Sequence, residues 1–332
     1  MLDLIGYNYT EDRYEREHEL HPNWIFFGSE TFSANLDKNW ALVSRHPYVI
    51  GDFSWTAWDY LGEVGCGRIE PKNGTPAAFM GSYPWIAASD GDFDLTGYRR
   101  PMSYWREIVW GGGGHKPYIA VHRMQNYGKD MYVSKWNLTD AVRCWSWPGW
   151  EGKPTAIEVY SDAEEAELLV NGRSLGRKRV GNDFKQFYCR WETVYEPGEV
   201  VAVAYIGGQE VGRDLLQTAG ASGLVLKADR TALRAGSDEL CFLEIELRDH
   251  KGVLDAAAEA VVRVQTEGPI VLAGCGSADP CTAESYQDPE HKLYEGRVLA
   301  ILRAGREPGR ASVTVTSPGR EDARIELEIT GA

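Results

Sequence analysis

The sequence has no apolar run approaching the ~20 residues that a membrane-spanning helix needs. Its start, Met1-Leu2-Asp3-Leu4-Ile5, lacks the basic region and long apolar stretch of a secretory leader, and no compartment is assigned. Basic charge is scarce: 35 Lys and Arg face 49 Asp and Glu, a net charge of -14. That excludes the basic face that nucleic-acid binders carry, and it works against anionic membranes in the same way. Cysteine is sparse: six in 332 residues, with no C-x-x-C pair and no zinc-ligand spacing. Such dilution excludes a disulfide scaffold and reads as buried free thiols, with Cys275 and Cys281 the one pair that invites bonding. There is no G-x-S-x-G, no G-x-x-x-x-G-K-[ST] and no H-E-x-x-H. The seven histidines share no ligand spacing, so neither a metal nor a cofactor is expected.

What is present is an ordinary globular composition, 43% hydrophobic and 25% charged. At ~100–200 residues per domain the length suits two or three domains. Tryptophan (12) and tyrosine (17) are plentiful, which fits sugar-stacking sites and equally fits cores and interfaces.

Residues 1–112 alternate between apolar runs and helical pieces. The runs are Leu4 to Tyr9, Trp24 to Thr31 and Tyr48 to Thr56. Between them, Glu11 to Leu20 reads as helix or loop up to Pro22, and Trp40 to Arg45 reads as a helix that stops before Pro47. A long irregular stretch, Gly62 to Asp94, precedes a helix over Pro101 to Trp110 with proline at an early position. This alternation predicts a parallel sheet. Three such strands leave an apolar face open, so a piece of the architecture is missing. The glycine run Gly111 to Gly114 reads as a hinge.

Residues 113–218 change character to short strands: Thr155 to Tyr160, Glu165 to Val170 and Val200 to Ile206. Asn171-Gly172 directly after Val170 is a hairpin-turn signal. Residues 219–332 continue with strand-like runs at Leu224 to Ala228, Leu240 to Asp249, Ala260 to Thr266, Gly296 to Arg303 and Ala311 to Thr316. Both segments read as immunoglobulin-like β-sandwiches. Gly274 to Asp279 resembles a phosphate loop superficially but lacks the lysine, and reads as a loop with glycines at positive φ. Asn137-Leu138-Thr139 is a glycosylation sequon of a kind that arises often by chance.

Glu30 stands out for chemistry. It ends an apolar run just after Gly28-Ser29, and catalytic side chains of parallel barrels sit at the C-terminal ends of strands. A carboxylate there can attack an anomeric carbon; alternatively it is a helix cap or a surface acid. Tyr9 closes the preceding run and either orients a nucleophile or fills a core. Trp55, Trp58 and Asp59 close the third run, where the indoles can floor a sugar site and Asp59 can accept hydroxyl hydrogens; the alternative is two buried indoles and a helix cap.

In order along the chain, these residues resemble glycoside hydrolase family 2, the β-galactosidase and β-glucuronidase family. G-Y-N-Y (Gly6 to Tyr9), P-x-x-x-x-x-G-S-E-T (Pro22 to Thr31) and G-D-F-x-W-T-x-x-D-Y-L-G-E (Gly51 to Glu63) are similar to the last three strands of that family's (β/α)8 catalytic TIM barrel. Trp145 to Gly152, Val159-Tyr160-Ser161 and Glu167 to Gly176 resemble the domain that follows the barrel, and Gly274 to Pro280 with Tyr294 to Arg297 its terminal immunoglobulin-like domain. The resemblance therefore implies a partial TIM barrel, its last three strands, followed by two all-β sandwiches. It implies Glu30 as the nucleophile of a retaining β-glycosidase and Tyr9 as the residue that orients it. It also implies Asn8, Trp55, Trp58 and Asp59 as pocket residues for a β-linked glycan.

The family's acid/base glutamate follows an asparagine, and this sequence contains no Asn-Glu pair. The expectation is a C-terminal part of a larger enzyme, inactive alone. Two other readings stand beside it: a carbohydrate-binding or structural accessory module, and a chain that forms a homo-oligomer over its open half-barrel. Family β-glucuronidases place a lysine near the position of Asp90. An acid there repels a uronate, which favours a galactoside over a glucuronide.

Overall fold

The computed structural model describes residues 2–72, 80–182 and 185–331. Part of the irregular stretch read over Gly62 to Asp94 lies outside the described residues. The chain divides into two compact units, residues 1–143 with 149–216, and residues 144–148 with 217–332.

The first unit opens with a parallel sheet. Strands β1 (Ile5–Asn8), β2 (Phe26–Phe32) and β3 (Val49–Trp55) lie in the order β1-β2-β3. Helix α1 (Tyr14–Leu20) bridges the first pair and α2 (Leu36–Arg45) the second, as the apolar alternation predicts. Helix α2 starts four residues before the expected Trp40. Its first turn buries Leu36 and the polar Asp37 and Asn39, so hydropathy alone hides the start. Tyr14, Phe26 and Val49 pack beneath the sheet with Leu42 and Val43 of α2. Around the sheet Leu4, Ile25, Ile50 and Phe53 stay exposed, the last at 66%.

Small residues let the strands close up. A Cβ on Gly28 would sit 2.6 Å from Thr31 Cγ2 and 3.1 Å from both Asp52 Cβ and Tyr14 Oη. Thr31 is fully buried and donates to Asp52 Oδ2 at 2.8 Å. The G-S-E-T and G-D-F words of β2 and β3 thus interlock neighbouring strands.

A short strand β4 (Ile69–Pro71) and helix α3 (Pro101–Val109) follow, with Pro101 in the first helical turn behind an extended Arg100. The glycine run Gly111 to Gly114 lies inside the first unit, where Gly112 N–H donates to Glu107 O. Beyond it come β5 (Tyr118–His122), β6 (Met131–Val133), β7 (Ala141–Val142), β8 (Pro154–Tyr160), β9 (Glu165–Val170), β10 (Arg173–Arg179), β11 (Tyr188–Val194), β12 (Glu199–Ile206) and β13 (Gln209–Gln217). They form two four-stranded sheets, β11-β8-β5-β7 and β10-β9-β12-β13, while β6 pairs with β4. Asn171 (φ 49°) and Gly172 (φ 76°) make the tight β9–β10 turn that their dipeptide signals.

Helix α2 covers the parallel sheet and, together with α3, also packs on a second sheet. Leu36, Met102, Trp105 and Ile108 share one core with Tyr118, Ala120, Tyr160 and Tyr188 of the sheet β11-β8-β5-β7. Trp105 is fully buried and its indole N–H donates to Gln186 O at 3.0 Å. Lys185 reaches Ala34 O, and Gln186 N–H donates to Asp37 Oδ2 at 3.1 Å. The buried Asp37 that obscured the start of α2 therefore serves the neighbouring sheet.

The second unit is a sandwich of two sheets. Its strands are β14 (Ser222–Ala228), β15 (Ala232–Arg234), β16 (Leu240–Asp249), β17 (Val261–Glu267), β18 (Ile270–Gly276), β19 (Glu290–Lys292), β20 (Arg297–Ala304), β21 (Gly309–Thr316) and β22 (Ala323–Thr330). The sheets run β14-β16-β20-β18 and β15-β22-β21-β17-β19. Alternating inward residues such as Leu243, Ile245, Ala300, Leu302, Val313 and Val315 fill the core. Residues 144–148 join this unit: Thr218 Oγ1 donates to Trp145 O at 2.7 Å and Ala219 N–H to Ser146 Oγ at 2.8 Å. Trp145 and Trp147 are buried.

One expectation is corrected here. Gly274 to Gly276 is strand, the end of β18, and neither Gly274 nor Gly276 has a positive φ. A Cβ on Gly276 would fall 2.4 Å from the Tyr286 ring, so the need is for close approach and not for a left-handed turn. None of the six cysteines forms a disulfide; five are buried and Cys281 is half-buried.

Candidate active site

The candidate site lies at the C-terminal ends of the three parallel strands. The register sets Asn8 beside Glu30, and a bulge between Tyr7 and Asn8 turns the chain so that Tyr9 N–H donates to Glu30 O at 2.9 Å. Tyr9 sits at φ 54°, a left-handed conformation uncommon for a bulky residue. Its hydroxyl accepts the Trp136 indole N–H at 2.8 Å and lies near enough to Glu30 to feel its charge. Burial is the main cause that pushes the Tyr9 phenol well above its ordinary range, and the Glu30 charge adds to it. A phenol shifted this way keeps its proton at any physiological pH. Glu30 itself is half-buried and Asn8 is exposed.

Trp136 was not singled out from the sequence. It belongs to the loop after β6, and its ring meets Phe32 edge-on at 5.0 Å and Tyr9 at 5.8 Å. Asn137 ties the same loop down by donating to Gly67 O at 3.1 Å and Ser89 O at 3.3 Å. Thr139 donates to Glu158 Oε1 at 2.7 Å. The sequon residues are thus the anchors of the loop that carries Trp136.

Strand β3 ends in Trp55, whose indole N–H donates to Tyr60 Oη at 3.1 Å; the Tyr60 hydroxyl in turn donates to Glu63. Trp58 is half-exposed and stacks on Phe93, with ring centroids 5.2 Å apart. Gly97 passes close to the Trp58 ring, where a Cβ would meet it at 2.9 Å. Asp59 is placed differently. It is buried, pairs with Arg100 through both oxygens, and accepts the Gly91 N–H at 2.8 Å. Burial pushes its carboxyl up to about 7, against the pull of Arg100 and the Gly91 N–H. These contacts leave Asp59 holding the loop before α3, with its oxygens already engaged.

Asp90 requires a correction. It is fully buried, accepts the Cys66 thiol at 3.2 Å, and burial raises its carboxyl above the ordinary range. An acid enclosed in this way is out of a ligand's reach, so the argument from Asp90 against a uronate fails. Among the described residues no cluster of His, Cys, Asp or Glu is arranged to hold a metal ion.

Comparison with known proteins bears on this arrangement. Residues 224–326 match the model for the glycoside hydrolase family 2 C-terminal domain 5, and residues 152–212 match a domain of unknown function, DUF4982. A solved glycosyl hydrolase family 2 member from Bacteroides cellulosilyticus superposes on 99% of this chain and 42% of its own, at 35% identity and a TM-score of 0.89. The chain is the C-terminal part of a glycoside hydrolase family 2 enzyme. Among curated proteins, this family 2 chain is 28% identical over 298 residues to the β-galactosidase BoGH2A of Bacteroides ovatus, covering 88% of this chain and 30% of that protein. It is 26% identical to a putative β-glucuronidase of Formosa agariphila, covering 88% of this chain and 25% of that protein. The chain therefore spans under a third of the length of these curated relatives.

Proposed function

We propose that this chain carries the nucleophile half of a retaining β-glycosidase site, with Glu30 as the nucleophile. The observation that carries the reading is the place of Glu30 near the C-terminal end of a parallel strand, beside Tyr9, whose N–H donates to Glu30 O at 2.9 Å and whose hydroxyl accepts the Trp136 indole N–H. In this reading β1, β2 and β3 are the last three strands of a (β/α)8 barrel, and the rest of the barrel covers Leu4, Ile25, Ile50 and Phe53. Two sandwich domains follow, over residues 113–218 and 219–332.

The chemistry is a double displacement. A Glu30 oxygen attacks C1 of the bound sugar, and the C1–O bond to the leaving group breaks while an acid outside this chain protonates that oxygen. Water then attacks C1 of the glycosyl ester and releases Glu30 as carboxylate. Tyr9 holds the attacking oxygen in place through its O–H. Trp58 offers its exposed ring to the sugar, and Asn8 and Trp55 complete the wall. Asp59 keeps Arg100 and the Gly91 loop in position beneath them. Retaining hydrolysis needs a second carboxyl ~5–5.5 Å away. With no Asn-Glu pair in the sequence, the 332-residue chain alone is inactive. A β-galactoside is the favoured substrate, supported by the name of the Bacteroides ovatus relative and no longer by Asp90.

The test is turnover of aryl β-galactoside and aryl β-glucuronide by the protein extended to the length of its relatives. Glu30→Gln is expected to reduce turnover to background, and the galactoside to be the better substrate. Undiminished hydrolysis by the Glu30→Gln variant refutes the assignment. Faster turnover of the glucuronide refutes only the sugar preference.

A further inference from the structure

A cavity of about 330 Å³ lies between the end of α3 and the start of β5, lined by Tyr104, Tyr118, Arg99, Lys116, Arg143 and Asp214 among others. This is the low end of the ~300–1,000 Å³ typical of small-molecule pockets. Its walls are unusually ordered. Arg99 lies 4.0 Å over the Tyr104 ring, Tyr104 stacks on Tyr118 at 4.0 Å, and Arg143 lies 4.8 Å from the Tyr118 centroid. Each guanidinium is held by an acid: Arg99 by Glu107 at 2.6 Å, and Arg143 by Asp214 at 2.6 and 2.9 Å. Asp214 is further fixed by the Ile119 N–H at 3.0 Å.

Two groups are left over. Lys116 is exposed and its ammonium makes no ion pair among the described residues. Tyr118 is only 6% exposed, yet its hydroxyl has no hydrogen-bond partner among the described residues. A buried hydroxyl without a partner costs roughly 1–3 kcal/mol, which a ligand can recover. The lining carries three cations and two carboxylates, a local excess of one positive charge on a chain of net charge -14.

We infer that this cavity binds a hydroxylated monocarboxylate the size of one sugar ring, its carboxylate on Lys116 and a ring hydroxyl on Tyr118. Phosphate fits the wall less well: at neutral pH it carries one or two P–OH donors on an anion that would face the carboxylates of Glu107 and Asp214, whereas a sugar ring sets several neutral hydroxyls toward them. A neutral sugar leaves Lys116 unused. A second hollow of about 370 Å³ shares Arg99 and Glu107, so a second ring has space to continue along α3.

The experiment is calorimetric or saturation-transfer titration of the 332-residue chain with sodium galacturonate, galactose and inorganic phosphate. Galacturonate is expected to bind at least ~10-fold more tightly than either of the others, the worth of about one charge-assisted bond. Lys116→Ala and Tyr118→Phe should each weaken it ~3- to 10-fold. Lys116→Ala should melt like the parent, because it removes an exposed side chain, and Tyr118→Phe at or above the parent, because it removes a buried hydroxyl without a partner. Glu30→Gln should leave binding unchanged. The inference is overturned by absence of saturable galacturonate binding, by galactose or phosphate binding equally well, by both variants binding like the parent, or by loss of binding in Glu30→Gln.

Discussion

Replacing Glu158 by glutamine tests how the loop bearing Trp136 is held. Glu158 is 3% exposed and collects three donors: His122 Nε2 and Thr139 Oγ1 at 2.7 Å on one oxygen, and the Tyr160 hydroxyl at 2.7 Å on the other. Burial by itself pushes this carboxyl up; the bonds from His122, Tyr160 and Thr139 outweigh it, and the group titrates below the usual glutamate range. Glutamine keeps one acceptor oxygen and puts an NH₂ where the other stood. If the oxygen faces His122 and Thr139, Tyr160 must turn from donor to acceptor, and every bond loses its charge. The difference between charged and neutral hydrogen bonds is ~1 kcal/mol each, so the loss is about 2 kcal/mol after rearrangement. For a unit of this size that is a fall of roughly 4–8 °C in Tm. Urea titration followed by tryptophan fluorescence reads the first unit, because all tryptophans except Trp145 and Trp147 lie there. The pH dependence has a definite sign. The folded carboxyl is depressed, so its contribution is present above the unfolded value of ~4.3 and fades as pH falls through the folded one. The gap between parent and variant should therefore be full at pH 7 and shrink below pH 4. A variant within 0.5 kcal/mol (roughly the error of such a measurement) at pH 7, or a gap that widens in acid, refutes the reasoning.

Two further outcomes are expected. Trp136→Phe keeps the edge-on packing against Phe32 but deletes the N–H bound to Tyr9, about 1 kcal/mol, so kcat of the extended enzyme should fall ~5-fold with KM nearly constant; unchanged kcat would remove Trp136 from the site. Burial pushes the thiols of Cys241 and Cys275 up to about 11 and about 12, and Cys66 higher still. Native chain at pH 8 should therefore yield about one reactive thiol, Cys281, against six after unfolding, and three or more reactive thiols in the native state would contradict the burial.

The local rules of the chain were strong where one residue type answers one local need. The apolar runs Trp24 to Thr31 and Tyr48 to Thr56, which fold as β2 and β3, the break at Pro47, the proline opening α3 and the Asn171-Gly172 turn are all visible in the residues themselves. Each depends on backbone preference or on burial of one continuous stretch. The same holds for Glu30 as a candidate, because its neighbours Gly28 and Thr31 are there to let strands approach.

Long-range partnerships were decided by the tertiary structure alone. Nothing near Trp136 in the sequence reveals that its N–H meets Tyr9, 127 residues away, or that Asn137 and Thr139 are loop anchors and not a glycosylation signal. Asp59 read as an acceptor for sugar hydroxyls or a helix cap, and Asp90 as a charge that repels a uronate. Folding buries both, against Arg100 and Cys66, because a loop that carries carboxylates inward must pair or protonate them. Hydropathy records which residues leave water. Which polar groups then find each other depends on how distant strands and loops are brought together, and that information is not present in any local stretch of the chain.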